Sequence, residues 1–300
     1  MAAVESERTG FKVTTKERLD RESFPMRLFQ KAKKLGTWDP AGIDFSGDRA
    51  RWHELSDVER DALLRLTSLF AAGEESVTLD LLPLVQAIAR EGRIEEEIYL
   101  TSFLWEEAKH VEFFAHFLDE VVGEGPDLHT YHTPCYRKIF YEELPRAMGR
   151  LAADPSPETQ ARASVTYNMI VEGVLAETGY HSYFTAIESR GSMPGLVEGL
   201  ALVKRDESRH IAYGVYLLSR LAAERASLWP IMEERMNELL PHALGLIGEI
   251  FESYDPMPFG LAYDEFAAYA TSQFTKRLDR IRRSVGKNLD EVAREALAEV

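Results

Sequence analysis

Two four-residue segments a hundred positions apart, Glu107-Ala-Lys-His110 and Glu207-Ser-Arg-His210, constrain this 300-residue chain more than any other feature. On a helix, residues three apart point the same way with Cβ atoms about 5–6 Å apart, so a glutamate and a histidine at that spacing reach one ion. Each pair follows a glutamate set among apolar or small neighbours, Glu74 in Phe70-Ala-Ala-Gly-Glu-Glu-Ser-Val77 and Glu172 in Met169-Ile-Val-Glu-Gly-Val174. The separations match in the two halves, 33 residues from Glu74 to Glu107 and 35 from Glu172 to Glu207. One such pair alone is an ordinary surface feature; two, each with a matched glutamate upstream, ask for four helices that meet.

The rest of the sequence agrees with helices. Apolar residues follow the helical period, and period-two runs of Val, Ile and Thr between turn residues are scarce. Ser56 with Glu59 reads as a capping box that opens a helix running to about Ala89. A second helix spans about Ile94 to Val122, stopped by Gly123, Gly125 and Pro126, and another covers about Cys135 to Ala152. Beyond the break at Asp154-Pro-Ser-Pro157, a third core helix runs to about Ser189 and, past Gly191 to Gly195, a fourth from about Leu196 to Ala223. Helices near Trp229 to Tyr254, Tyr263 to Ser284 and Leu289 to Val300 complete the chain. Glu74 and Glu107 lie about 27 and 23 Å from the turn between their helices and can meet; Glu172 and Glu207 lie about 28 and 18 Å from theirs, a looser match whose remainder the Gly191–Gly195 loop and helix tilt must absorb.

The expected fold class is therefore all-α: one domain over residues 1–300, with an irregular arm to about 55, a metal-binding four-helix core with an insertion over about 56–223, and additional helices over about 224–300. A net charge of −15 argues against nucleic acid or an anionic membrane surface as the partner. Hydrophobic residues at 45% suffice for a large core. The single cysteine, Cys135, makes no internal disulfide, and neither an apolar leader nor an 18-residue apolar run appears, so the expectation is a cytoplasmic protein with no membrane span.

Four carboxylates and two imidazoles at one height inside four helices form the ligand set of ferritin-like di-iron and di-manganese proteins. Four buried glutamates repel one another and lose several kcal/mol each in desolvation, whereas two divalent ions cancel their charge. The oxygen-rich set with two imidazoles and no thiolate suits iron or manganese, not structural zinc or an iron–sulfur cluster. The expected metal residues are Glu74, Glu107, His110, Glu172, Glu207 and His210. Asp206 is placed to orient His110 through its free ring nitrogen. Glu75, Glu106, Glu112 and Glu177 read as solvated or supporting groups, and His53, His116, His129, His132, His181 and His242 as ordinary histidines.

With these residues in place, the sequence resembles the small subunit of ribonucleotide reductase and, more closely, the ribonucleotide-reductase-small-subunit-like ligand-binding oxidases. The likeness runs from Trp38-Asp-Pro and Ile43-Asp-Phe-Ser to the paired Glu-x-x-His helices. It implies the same six metal ligands, a heterodinuclear Mn/Fe site with di-iron as the variant, O2 as co-substrate, and a homodimer. It further implies an ether cross-link between Val77 and Tyr167, and a long-chain fatty acid or related apolar ligand held for two-electron oxidation. In reductases the counterpart of Trp38 belongs to an electron path through the carboxylate at Asp206; the electron donor here is unknown. Radical-storing reductase subunits carry a tyrosine four residues past the first histidine, where this chain has Phe114. A reductase radical subunit and a non-catalytic metal-storage or lipid-binding protein are the alternatives. Val77 shares a helix face with Glu74. Tyr167, five residues before Glu172, lies about 140° away on a regular helix, so the ring must do the reaching.

Overall fold

Thirteen α-helices and no strand make up the regular structure of residues 10–188 and 193–298, which the computed structural model describes. In order these are α1 (Phe24–Leu35), α2 (Ser46–Glu54), α3 (Asp57–Asp80), α4 (Leu82–Arg90), α5 (Ile94–Phe117), α6 (Pro134–Arg137) and α7 (Leu144–Arg150). They continue as α8 (Pro157–Ser164), α9 (Glu177–Glu188), α10 (Pro194–Glu224), α11 (Trp229–Glu252), α12 (Tyr263–Arg282) and α13 (Leu289–Ala298). Residues 1–9, 189–192 and 299–300 lie outside the described residues, as do the readings made on them. No helix among the described residues is long and apolar enough to cross a membrane.

Three boundaries differ from the sequence reading. The helix expected to reach Ala89 ends at Asp80, because Pro83 in the first turn of α4 has no N–H to continue the ladder. The arm is not wholly irregular: α1 and α2 lie within it, and α1 packs on α5 and α10. The third core helix is continuous from α8 to α9, but its middle, Val165–Ala176, is a π-helix. The capping box is present as read, with Ser56 Oγ accepting from the Glu59 N–H and Glu59 accepting from the Ser56 N–H. Gly123, at φ +66°, takes the left-handed turn that ends the second core helix.

The core bundle consists of α3, α5, the α8–π–α9 rod and α10. Its interior divides into two apolar clusters, one around Tyr99, Phe103, Ile170 and Tyr213, the other around Phe70, Phe113, Tyr180 and Val203. Each core helix passes from one cluster to the other. On α5, Glu107 and His110 lie between Phe103 and Phe113, and on α10, Glu207 and His210 lie between Val203 and Tyr213. On α3, Glu74 lies between Phe70 and Val77, and on the third rod Glu172 lies between Ile170 and Tyr180. The acidic and imidazole side chains thus meet where two apolar cores abut.

Candidate metal centre

At that seam one donor atom from each of Glu74, Glu107, His110 and Glu207 lies within 4.8 Å of the others, and Glu107, Glu172, Glu207 and His210 form a second such group. The two quartets share Glu107 and Glu207. All six side chains are buried. Both imidazoles turn Nδ1 inward: that of His110 is 3.1 Å from Glu207 and 3.4 Å from Glu74, and that of His210 is 3.1 Å from Glu107 and 3.4 Å from Glu207.

Their outer nitrogens meet carboxylates. His210 Nε2 is 3.0 Å from Glu106, and His110 Nε2 is 3.5 Å from Asp206. Asp206 also accepts from the Trp38 indole at 2.7 Å, from Lys109 at 2.9 Å and from Arg209, which donates to Glu106 as well. Asp206 and Trp38 therefore sit together where the sequence reading put them. Glu106, left there among solvated or supporting groups, is fully buried and orients the second histidine. Glu75 and Glu112 face solvent and Glu177 pairs with Arg277. Tyr180 donates to Glu74 at 3.0 Å and Asn168 to Glu172 at 3.3 Å, two supporting groups that spacing alone did not mark.

The residues fit a pair of cations. Both Glu107 oxygens, one oxygen each of Glu172 and Glu207, and Nδ1 of both histidines are buried without a hydrogen-bond partner. Such atoms cost about 1–3 kcal/mol apiece when left unpaired, and a bound ion satisfies them together. Protonation answers the same charge imbalance: burial drives the Glu74 carboxyl up to about 8 against the pull of His110, and burial with Glu207 and Glu107 nearby holds Glu172 well above the usual range. Burial also favours the neutral form of Glu107, but His210 and His110 overcome it and hold that carboxyl near 2. Both imidazoles are raised: burial disfavours their cations, yet the carboxylates of Asp206, Glu107, Glu207 and Glu74 around the ring prevail at His110, and the charges of Glu207 and Glu107 at His210. Without ions, the cluster is neutralised by protons.

Val77 and Tyr167 come together beside it, the phenol donating to the Val77 carbonyl at 3.2 Å. The 140° offset expected for Tyr167 is corrected by the π-helix, whose i→i+5 bonding returns residues five apart to nearly one face. Phe114, where the resemblance places the reductase radical tyrosine, stacks on Phe70 at 5.5 Å and offers no phenol. From the four glutamates an apolar tunnel of about 100 Å³ runs outward between α3, the π-helix and α11. Gly73, Val77, Phe140 and Val171 line its inner part, and half-buried Phe251, Tyr254, Met257 and Phe259 its outer part.

A family model for the ribonucleotide reductase small chain matches residues 27–282. Solved structures of R2-like ligand-binding oxidases are similar to the chain throughout. One with aerobically reconstituted Mn/Fe cofactor after a long soak shares 40% identity over 91% of this chain and 98% of its own, at TM-score 0.87. A tyrosine-to-phenylalanine variant with anaerobically reconstituted Mn/Fe shares 39% over 91% and 99%, at 0.88, and a valine-to-leucine variant 40% over 91% and 98%, at 0.86.

Proposed function

The chain belongs to the ribonucleotide reductase small-chain family and, within it, to the R2-like ligand-binding oxidases, and on that footing we propose that it oxidises an apolar carboxylate held in the tunnel, using O2. Glu74, Glu107, His110, Glu172, Glu207 and His210 are the residues that would hold manganese and iron, Glu107 and Glu207 serving both ions. When bound, such a pair supplies O2 activation and accepts a negatively charged ligand. The continuity of two donor quartets with an apolar tunnel carries this reading. A storage site has no use for an apolar approach, and Phe114 leaves the radical-subunit alternative without its phenol.

The protein's own groups define what happens next. The tunnel wall strips water from a hydrocarbon tail and lays it toward the glutamates, so a fatty acid with its head inward is the ligand that matches both ends. Tyr167 keeps its hydroxyl at the Val77 backbone, next to the side chain that would be joined to it. Joining the phenolic oxygen to the Val77 side chain breaks one C–H and one O–H bond and removes two hydrogens and two electrons, with O2 as oxidant. The same two-electron change on the ligand hydroxylates or desaturates it. A second copy of the chain, as a homodimer, completes the reading.

The test is peptide mapping by mass spectrometry after loading with Mn(II) and Fe(II), with and without O2. The expected result is a Val77–Tyr167 peptide pair joined with loss of two hydrogens, only when both metals and O2 have been present. Separate peptides at full metal loading discard the cross-link.

A further inference from the structure

A row of aromatic rings leads away from the metal cluster at His210. Phe103 lies flat on His210, ring centres 3.6 Å apart and planes 7° apart. Tyr99 follows edge-on at 6.1 Å, Tyr213 at 5.1 Å from Tyr99, and half-buried Tyr216 at 6.4 Å from Tyr213. Tyr99 and Tyr213 are fully buried, and neither belongs to the donor quartets nor to the tunnel wall.

A buried phenol gives up an electron only if its proton has a base to go to, because a phenol radical cation in the core is an uncompensated charge. Tyr99 has no hydrogen-bond partner for its hydroxyl. Tyr167 faces a backbone carbonyl, which is not a base, and Tyr180 donates to Glu74, whose oxygens belong to the cluster. Tyr213 donates to Glu96 at 3.0 Å, a buried carboxylate outside the cluster. Arg220 at 3.3 Å and Arg93 at 3.7 Å hold Glu96 in place. Burial nevertheless pushes its carboxyl above the usual range, which makes it a better base.

We propose that Tyr213 is a redox-active tyrosine that discharges the oxidised centre when O2 has reacted with no substrate in the tunnel and the Val77–Tyr167 cross-link, already formed, takes up no oxidant; this rests on the oxidase reading above. One electron passes from Tyr213 through Tyr99 and Phe103 and reduces the centre by one equivalent. The phenolic O–H bond breaks, the proton moves to Glu96, and a neutral radical stays on Tyr213. An external one-electron donor of the thiol or ascorbate class, reaching it through Tyr216, restores the phenol as Glu96 returns the proton.

The experiment takes protein already cross-linked by one exposure to O2, reduces its Mn/Fe pair again, mixes it with O2 without added ligand, and records freeze-quench EPR and O2 uptake on the same samples, with natural and ring-deuterated tyrosine. A tyrosyl signal that narrows on deuteration is expected, at least tenfold weaker in Tyr213→Phe while O2 uptake is unchanged. Glu96→Gln, which leaves every ring in place, gives the same loss, so the result does not hang on one variant's folding. O2 uptake with no tyrosyl signal, or an undiminished signal in Tyr213→Phe, overturns the proposal and leaves the oxidase reading standing. Absence of O2 uptake by fully loaded protein overturns the oxidase reading, and the discharge route with it.

Discussion

Each imidazole of the cluster offers Nδ1 to the centre and Nε2 to a carboxylate, and the two carboxylates are not equivalent. Asp206 divides its charge among Trp38, Lys109 and Arg209, whereas Glu106 has Arg209 alone and sits closer to its histidine. Supporting carboxylates of this kind typically contribute 10- to 100-fold in metal affinity. Chelator competition should therefore show a loss on the order of 10- to 100-fold in Glu106→Gln and in Asp206→Asn, and no stable dimetal loading in His110→Ala or Glu172→Ala. Native affinity in Glu106→Gln would remove its assigned role. The protonation pattern adds a second expectation. Glu74, with its pKa raised to about 8, holds a proton at pH 6 that incoming ions must displace, and the raised pKa of Glu172 acts in the same direction. Loading should weaken from pH 8 to pH 6 and release protons, read as a buffer-dependent heat in calorimetric titration; equal heats in buffers of different ionisation enthalpy contradict it. The six residues were legible because they occur twice at matched spacing. Glu106 was not, since an acid just before a candidate ligand turns about 100° away on a helix and reads as a solvated face. Only setting Glu106-Glu107 beside Asp206-Glu207 shows that both histidines have an acid so placed.

At the scale of the helix, the π stretch Val165–Ala176 decides which side chains face the cluster. Its first ten residues, through Val174, are all buried, so no polar stripe reveals their period, and a regular helix was the natural reading. The helix ends were easier, because Ser56, Gly123 and Pro157 carry local chemistry that acts within one turn. Pro83 carried the same kind of signal, but the apolar period continues through it and concealed the break. Gly73 on α3 is the element's other distinctive position. A Cβ there meets Phe140 at 3.6 Å, an ordinary contact, so the helix accepts a side chain that extends into the tunnel. Replacing an interior helical glycine is worth about 1 kcal/mol of helix propensity. Gly73→Leu is expected to keep or raise the denaturation midpoint and retain both metals, yet lose uptake of an apolar carboxylate followed by mass spectrometry of the extracted ligand. Undiminished uptake places the ligand elsewhere.

Across the whole molecule, the helices that the ligand set does not require acquire a purpose. Leu246, Ile247, Ile250 and Phe251 of α11, with Tyr254, Met257, Phe259 and Leu261 beyond it, form the tunnel wall facing α3 and the π-helix. A four-helix bundle alone would leave that wall open to water. The sequence marked α11 as a helix but not as a wall, because its apolar face reads like any face packed on a core. The chain's net charge of −15 repels a free carboxylate at long range, so the attraction for a fatty acid must come from cations at the inner end and burial along the tunnel. Each methylene taken from water contributes about 0.8 kcal/mol, or about fourfold in affinity. In a series of straight-chain carboxylates, Kd for the Mn/Fe-loaded protein should fall about fourfold per added carbon and level off once the tail passes Tyr254 and Met257 into solvent. The corresponding alcohols, lacking the charge, should show the same slope with weaker binding throughout, and should not distinguish loaded from metal-free protein. Competition calorimetry measures both slopes. An affinity independent of chain length means that the tail is not held in the tunnel, while equal affinities for acid and alcohol at every length mean that the head does not meet the cations.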